Sequence, residues 1–471
     1  MTSFADHVNR VWEAEIIPAL VEYVAIPNVS VHFDAKWKAH GHMDRAVSLI
    51  STWSRARQIA GLSVEVVEMP GRTPLILMEI PAFGNANGHA PAVMLYGHLD
   101  KQPEMSGWRE GLGPWTPVIE GDRLYGRGGA DDGYSAFASV AAIEAVQSAG
   151  GSHRRCVVLI EASEESGSPD LPAYVDHLAN RIGDVDLVIC LDSGCLDFDR
   201  LWVTTSLRGL VGGTLTVEVL EEGVHSGDAS GIVPSSFRIA RQLLDRVEDA
   251  STGRVLLPEM SAEIPTDRLE EAAKTASEMP EPPSAHYRWA GMTQPMTADP
   301  AEQLLARTWR PTLSVIGADG FPPFDRAGNV LRPSTSLKLS FRLPPTTIAA
   351  TAVEAVTAAL LGDPPNNAVV RFDGIESADG WNAPSFAPWL AASLEAASVE
   401  TFGSGVRTFG EGGSIPFMGM LGRRFPNAQF VVTGVLGPST NAHGPNEFLH
   451  IPTAKRITSA MARILIDHGA Q

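Results

Sequence analysis

The sequence predicts an α/β protein: a domain built on a mixed, largely buried sheet flanked by helices, interrupted by an inserted ferredoxin-like (βαββαβ) domain. Three observations predict it. Short apolar runs bounded by Gly or Pro, among them Val93 to Tyr96, Cys156 to Ala162 and Leu187 to Leu191, alternate with helical stretches, as strands covered on both faces do. Around Leu207-Arg208-Gly209 the pattern changes to half-exposed strands in the order β-α-β-β-α-β, with a long insertion after the first helix. Beyond Gly380 the first pattern returns, so the simplest division is 1–207 and 381–471 for the outer domain and 208–380 for the insert. At 471 residues the chain is also too long for one ordinary core.

Each element has its own signal. From Phe4 to Tyr23 the residues Val8, Val11, Trp12, Ile16, Leu20 and Val21 recur at three and four, predicting an amphipathic helix that Pro27 ends. A second helix is expected near His42 to Ala60, then strands at Ser63 to Glu68, Ile76 to Ile80 and Val93 to Tyr96, separated by Pro and Gly. Tyr134 to Ala149 is small and apolar at helical spacing, directly after Asp131-Asp132. In the insert, strands are expected at Thr214 to Leu220, Leu313 to Gly317, Leu337 to Leu343 and Ala368 to Asp373, with helices at Pro234 to Val247 and Thr347 to Leu361. A Pro-rich, charged interval runs from Glu248 to Arg310. Helix Ser385 to Val399, strand Gln429 to Thr433 and helix Thr453 to Ile466 complete the outer domain.

A net charge of −19 argues against a nucleic-acid or anionic-membrane surface, since both need clustered Lys and Arg. No uncharged apolar run approaches the length of a membrane span. Residues 1–7 have no basic flank, apolar core or cleavage site, so no secretory signal is expected, and Cys156, Cys190 and Cys195 are expected as reduced thiols of a cytoplasmic protein.

Polar groups gather just beyond strand ends, where open α/β sheets bind ligands. The run Val93 to Tyr96 delivers His98, and Asp100 lies on the same side of an extended backbone. A carboxylate there can accept the ring's second N–H and raise its basicity toward a metal, although an isolated H-x-D is more often a surface or capping pair. Strand Cys156 to Glu161 runs into Glu164-Glu165, a pair that alone would suit a helix N-terminus. Leu187 to Leu191 delivers Asp192, and Gln429 to Thr433 leads toward His443. Four such strand ends together point to one metal site.

The motifs G-H-x-D-x-Q-P at Gly97 to Pro103, G-R-G-x-x-D-D at Gly126 to Asp132, E-E-x-G-S at Glu164 to Ser168, and Asn441-Ala442-His443 stand in order over nearly the whole length. In them the chain resembles the M20 metallopeptidase family, closest to its carnosinase-like cytosolic dipeptidases. The resemblance implies a catalytic domain interrupted by a lid/dimerisation domain, and a homodimer. It implies two divalent ions per subunit, zinc or manganese with cobalt possible, bridged by Asp131. One ion would be held also by Glu165 and His443, the other by His98 and Asp192. Asp100 would support His98, and Glu164 would be the general base that takes a proton from a water shared by the ions. A cis peptide at Asp131-Asp132 is implied too.

Three further matches concern substrate. His225 lies where the family's lid supplies a histidine, usually to the partner subunit's active site, where it would stabilise the oxyanion. Arg342 matches the arginine that takes the C-terminal carboxylate, and Ser414 lies in a Gly-rich loop whose N–H groups could receive it. The implied substrates are dipeptides or small peptides with a free C-terminus. N-acyl (acetyl, succinyl or carbamoyl) amino acids are the alternative, and a non-catalytic metal- or peptide-binding protein is a further reading that retention of Glu164 opposes. Ser226 and Ser414 lie in Gly-rich contexts, but neither forms a G-x-S-x-G elbow. Two positions depart from the pattern: Gly133, where many relatives have Lys, and Gly410, usually Arg, with Arg407 the nearest replacement.

Overall fold

The computed structural model describes residues 4–279 and 281–471. The chain divides into two compact units, one comprising Met1–Thr205, Ala383–Phe409 and Met420–Gln471, the other Ser206–Asn382 and Gly410–Gly419.

The first unit is built on a mixed sheet in the order Ser63–Val67, Leu75–Ile80, Cys156–Glu161, Ala92–His98, Val185–Cys190, Gln429–Val432, Trp202–Leu207. The four strands from Cys156–Glu161 to Gln429–Val432 run parallel, and their flanking neighbours are antiparallel. Ala92–His98 and Cys156–Glu161 are buried at every position, as parallel strands covered by helices on both faces must be. Helix Tyr134–Ser148 is buried from Tyr134 to Val146, which explains its small, apolar composition all round. The N-terminal helical stretch Phe4–Val24 is continuous but contains a π-turn at Trp12–Ile16. Pro18, lacking an N–H, cannot bond back to Ala14, so the ladder widens there. Trp12 Nε1 donates to Thr458 Oγ1 at 3.0 Å, tying the stretch to helix Ile451–Gly469.

Trp202–Leu207 is a strand without a continuous apolar run. Thr204 and Thr205 are buried, with Ser193 Oγ at 2.7 Å and the Phe409 carbonyl at 3.1 Å as their partners, so polar side chains sit inside the sheet at no hydrogen-bond loss.

The second unit contains an antiparallel sheet in the order Thr312–Asp319, Ser334–Leu343, Gly209–Glu218, Val369–Ala378. Gly209–Glu218 alternates buried and half-buried residues, and its buried Val211, Leu215 and Val217 share a core with Ile239 and Leu243 of helix Ser236–Leu244 and Val356 of helix Ala349–Leu361. The order of these six elements is β-α-β-β-α-β. The interval after the first helix holds helices Thr266–Glu278 and Pro300–Thr308, which bury Ala272, Leu304, Leu305 and Trp309 in a small cluster of their own.

Segment 410–419 groups with the second unit, whereas the sequence division gave all of 381–471 to the first. Hydrogen bonds explain the difference: the Arg208 N–H donates to the Gly413 carbonyl at 3.0 Å, and Ser414 Oγ donates to the Arg208 carbonyl at 2.6 Å. Among the described residues no helix is long and apolar enough to cross a membrane. The three cysteines are buried and form no disulfide.

Candidate metal centre

His98 is the last residue of its strand, in register with Glu161 of the parallel neighbour. Its N–H donates to Asp132 Oδ2 at 3.2 Å, and its Nδ1 lies 3.1 Å from the Asp100 carbonyl oxygen and 3.4 Å from Asp100 Oδ1. The ring is thereby fixed, and its Nε2 is buried with no hydrogen-bond partner.

Asp131 sits in a turn entered through Gly128 (φ 81°), and the Asp131-Asp132 peptide is cis. Its Oδ1 lies 3.4 Å from His98 Nε2 and its Oδ2 lies 3.0 Å from His443 Nε2. One carboxylate thus presents one oxygen to each imidazole, as a carboxylate shared by two cations would. His443 stands on an exposed loop with a left-handed backbone (φ 64°), a conformation that non-glycine residues rarely adopt.

Asp192 Oδ2 lies 3.7 Å from His98 Nε2. Its strand end is set by the Tyr134 O–H, which donates to the Leu191 carbonyl at 2.6 Å. Glu165 Oε2 lies 3.3 Å from His443 Nε2 and accepts from Gln102 at 2.6 Å, while its Oε1 is buried and unpartnered. Glu164 Oε2 lies 3.9 Å from His98 Nε2. Two triads result, His98/Glu164/Asp192 and Asp131/Glu165/His443, each with ligand atoms within 4.8 Å of one another. Oxygen and imidazole donors, an orphaned buried Nε2 and an orphaned buried carboxylate oxygen together fit two divalent cations.

Asp100 has a second connection beyond His98. Its Oδ1 accepts the Glu164 N–H and its Oδ2 the Glu165 N–H, both at 3.0 Å, so this carboxylate also fixes the loop that carries both glutamates. Electrostatics follow the packing. Burial, then the charge of Asp192, pushes Glu164 well up; burial, then Asp131, does the same to Glu165. Burial opposes the charged form of His98, yet Asp192, Asp100 and Asp131 together raise its pKa. Asp131 is held far down, against burial, by the two imidazoles beside it, His443 and His98. Such a cluster is short of positive charge.

Several buried supports escaped the sequence reading. Lys101 is fully buried, its Nζ donating to the Tyr23 and Ile26 carbonyls at 2.8 Å each. The Tyr23 O–H in turn donates to the Leu99 carbonyl at 2.7 Å. Tyr23 also accounts for Gly133: a Cβ there would lie 2.1 Å from Tyr23 Cε1. Arg127 and Glu447 form a buried ion pair. Only their place inside or beside the motifs hinted at them, because a buried charge has no local periodic signature.

The expected substrate residues Arg342, Ser414 and His225 belong to the second unit. Arg342 Nη1 donates to Ser414 Oγ at 3.1 Å. His225 is exposed, its Nδ1 accepting the Gly227 N–H at 3.1 Å. Gly410 leaves no room for a side chain, since its Cβ would lie 2.6 Å from Ser206 Oγ and 3.0 Å from Thr308 Cβ. Arg407 lies in the first unit and donates to the Val406 carbonyl at 2.7 Å.

The sequence profile of Peptidase family M20/M25/M40 matches residues 94–467. A cysteinylglycine-S-conjugate dipeptidase from Corynebacterium striatum is 28% identical over 81% of this chain and 82% of its own. A Beta-Ala-His dipeptidase from Rattus norvegicus is 28% identical over 70% of this chain and 68% of its own. The structure of the dipeptidase Dug1p from Saccharomyces cerevisiae superposes with a TM-score of 0.79 at 21% identity, covering 100% of this chain and 98% of that one, and shares its fold.

Proposed function

Because the chain belongs to Peptidase family M20/M25/M40 and is thus a metallopeptidase, we propose that it hydrolyses the amide bond of dipeptides and small peptides with a free C-terminal carboxylate at a dinuclear centre. The observation that carries this reading is Asp131, whose two oxygens face His98 and His443 separately. The dipeptidases among its relatives support the substrate class.

His98, Asp192 and Asp131 would hold one ion, and Asp131, Glu165 and His443 the other. Zinc or manganese bound there would acidify a water and polarise the scissile carbonyl. Glu164 is the general base: burial raises its affinity for a proton, and its N–H is anchored on Asp100, so the carboxylate can take a proton and pass it to the leaving amine. Arg342, beside Ser414, binds the substrate's carboxylate in a two-pronged contact. The second unit is read as a ferredoxin-like lid through which two copies dimerise, with His225 reaching the partner's active site.

The deciding experiment is activity of metal-reconstituted protein on a panel of free dipeptides alongside N-acetyl, N-succinyl and N-carbamoyl amino acids. Turnover of the dipeptides supports the reading. Turnover of the acylated amino acids alone would replace it with an N-acyl amidohydrolase on the same metals.

A further inference from the structure

Three guanidinium groups of the second unit meet on one short loop. Arg208 Nε donates to the Gly412 carbonyl at 3.1 Å, and its backbone N–H to that of Gly413 at 3.0 Å. Arg342 Nη1 donates to Ser414 Oγ at 3.1 Å, and that hydroxyl donates to the Arg208 carbonyl at 2.6 Å. Arg307, from helix Pro300–Thr308, packs on the same loop: a Cβ at Gly412 would lie 2.9 Å from Arg307 Cγ and 3.4 Å from Arg208 Nη2.

Among the described residues none of the three has a carboxylate partner. Burial pushes Arg208 down to about 10, and the charges that act on it next are Arg342 and Arg307, with only the Tyr287 phenol opposing them. Arg342 is likewise lowered by burial. The Arg307 Nε is buried and has no hydrogen-bond partner. Like charges half-withdrawn from water repel one another and have lost hydration, so an arrangement of this kind is completed by an anion.

Gly410 sharpens the point. Helix Pro300–Thr308 fills the space beside it with Thr308, and the next residue back along that helix, Arg307, brings a cation to the same loop.

We propose that Arg208, Arg307 and Arg342, with Ser414, form an anion site for two carboxylates, so that the preferred substrates carry an acidic C-terminal residue, Asp or Glu. The proposal rests on the reading that Arg342 takes the C-terminal carboxylate. One guanidinium forks onto one carboxylate. A substrate with a single carboxylate leaves the other two uncompensated, whereas an acidic side chain supplies the second anion, with Arg307 and Arg208 to receive it.

The test has two arms on the full-length, metal-loaded protein. In the first, kcat/KM is measured for Ala-Glu against Ala-Gln and for Ala-Asp against Ala-Asn, in wild type, Arg307→Gln and Arg307→Lys. The acidic member of each pair is expected to lead by about tenfold or more in wild type, the ratio to collapse toward one in Arg307→Gln, and part of it to return in Arg307→Lys. In the second, calorimetry compares glutarate, acetate and inorganic phosphate in wild type and Arg307→Gln, where any contribution from the metals is common to both. Glutarate is expected to bind tightest and to lose affinity in the variant. Equal hydrolysis of Ala-Glu and Ala-Gln, or phosphate or acetate binding as well as glutarate, would overturn the proposal. Glutarate selectivity that depends on Arg307 without turnover of any dipeptide would support the site while overturning the dipeptidase reading.

Discussion

Arg127 and Glu447 stand 320 positions apart in the chain and form an ion pair with almost no solvent exposure. Arg127 also donates to the Gly444 carbonyl at 2.9 Å, and Glu447 accepts the Gly128 N–H at 2.8 Å. The pair ties the turn bearing Asp131 to the loop bearing His443, and so sets the spacing between these two side chains.

Replacing Arg127 with Met leaves Glu447 buried without its counter-charge, a loss that costs about 3–5 kcal/mol. The variant should melt well below wild type and lose the ion held by Asp131, Glu165 and His443 more readily than the other. Thermal melts by circular dichroism and metal content by mass spectrometry check both; an unchanged melt with full metal would refute the tie.

Glu164→Gln separates base from ligand. If Glu164 moves the proton, turnover should fall by a factor of roughly 10²–10⁴ with two metals still bound per chain. Loss of one metal equivalent would instead place Glu164 among the ligands, as its position in the His98/Glu164/Asp192 triad permits.

Metal removal should invert the pH dependence of stability. Glu161, beneath the Tyr96 and Ser168 hydroxyls, is pushed by burial from 4.5 to about 7, and Glu164 and Glu165 rise with it. Each holds a proton in the folded chain that the unfolded chain has released. The contribution of Glu161 is fully present below about 4.5 and is lost as the pH climbs through about 7, roughly 3 kcal/mol; Glu164 and Glu165, raised by burial, act with the same sign. Asp131, held low, works in the opposite direction, but only at acid pH. With metals bound the sign reverses, because the ligands must be deprotonated to bind them. Melting temperature against pH, with and without a chelator, should therefore give slopes of opposite sign; parallel slopes would contradict it.

His225→Ala and Arg342→Ala should each reduce activity sharply on their own. Mixed and allowed to exchange subunits, they should recover part of it if His225 serves the partner's site, since one site of each mixed dimer then has both residues intact. Absence of recovery in dimers verified to be mixed would place His225 in its own subunit's site or outside catalysis.

What could be read from the sequence depended on whether a residue's role leaves a local mark. His98, Glu164, Glu165 and Asp192 follow apolar strands closely, so strand ends pointed to them, and the structure brings them together with Asp131 and His443. Lys101 left no such mark, because its partners, the carbonyls of Tyr23 and Ile26, come from a distant helix end. Trp202–Leu207 escaped since its buried threonines look like surface residues until their partners are known. The helices of the 249–310 interval bury only a small cluster around Leu304, Leu305 and Trp309, too little for a strong periodic pattern. The attachment of 410–419 to the second unit rests on backbone carbonyls and one serine hydroxyl, which no side-chain pattern reports.

Strand Gln429–Val432 lies between Val185–Cys190 and Trp202–Leu207, two strands that leave the ribosome long before it. At about 5–20 residues per second, the roughly 220 residues between them take on the order of 10–45 s to synthesise. Throughout that interval the sheet has a vacant slot, and the facing edges of both strands show unpaired N–H and C=O groups that any extended segment could fill. The nascent chain, rather than the finished one, is thus the form most exposed to misassembly, and slower translation over residues 208–428 would prolong that exposure.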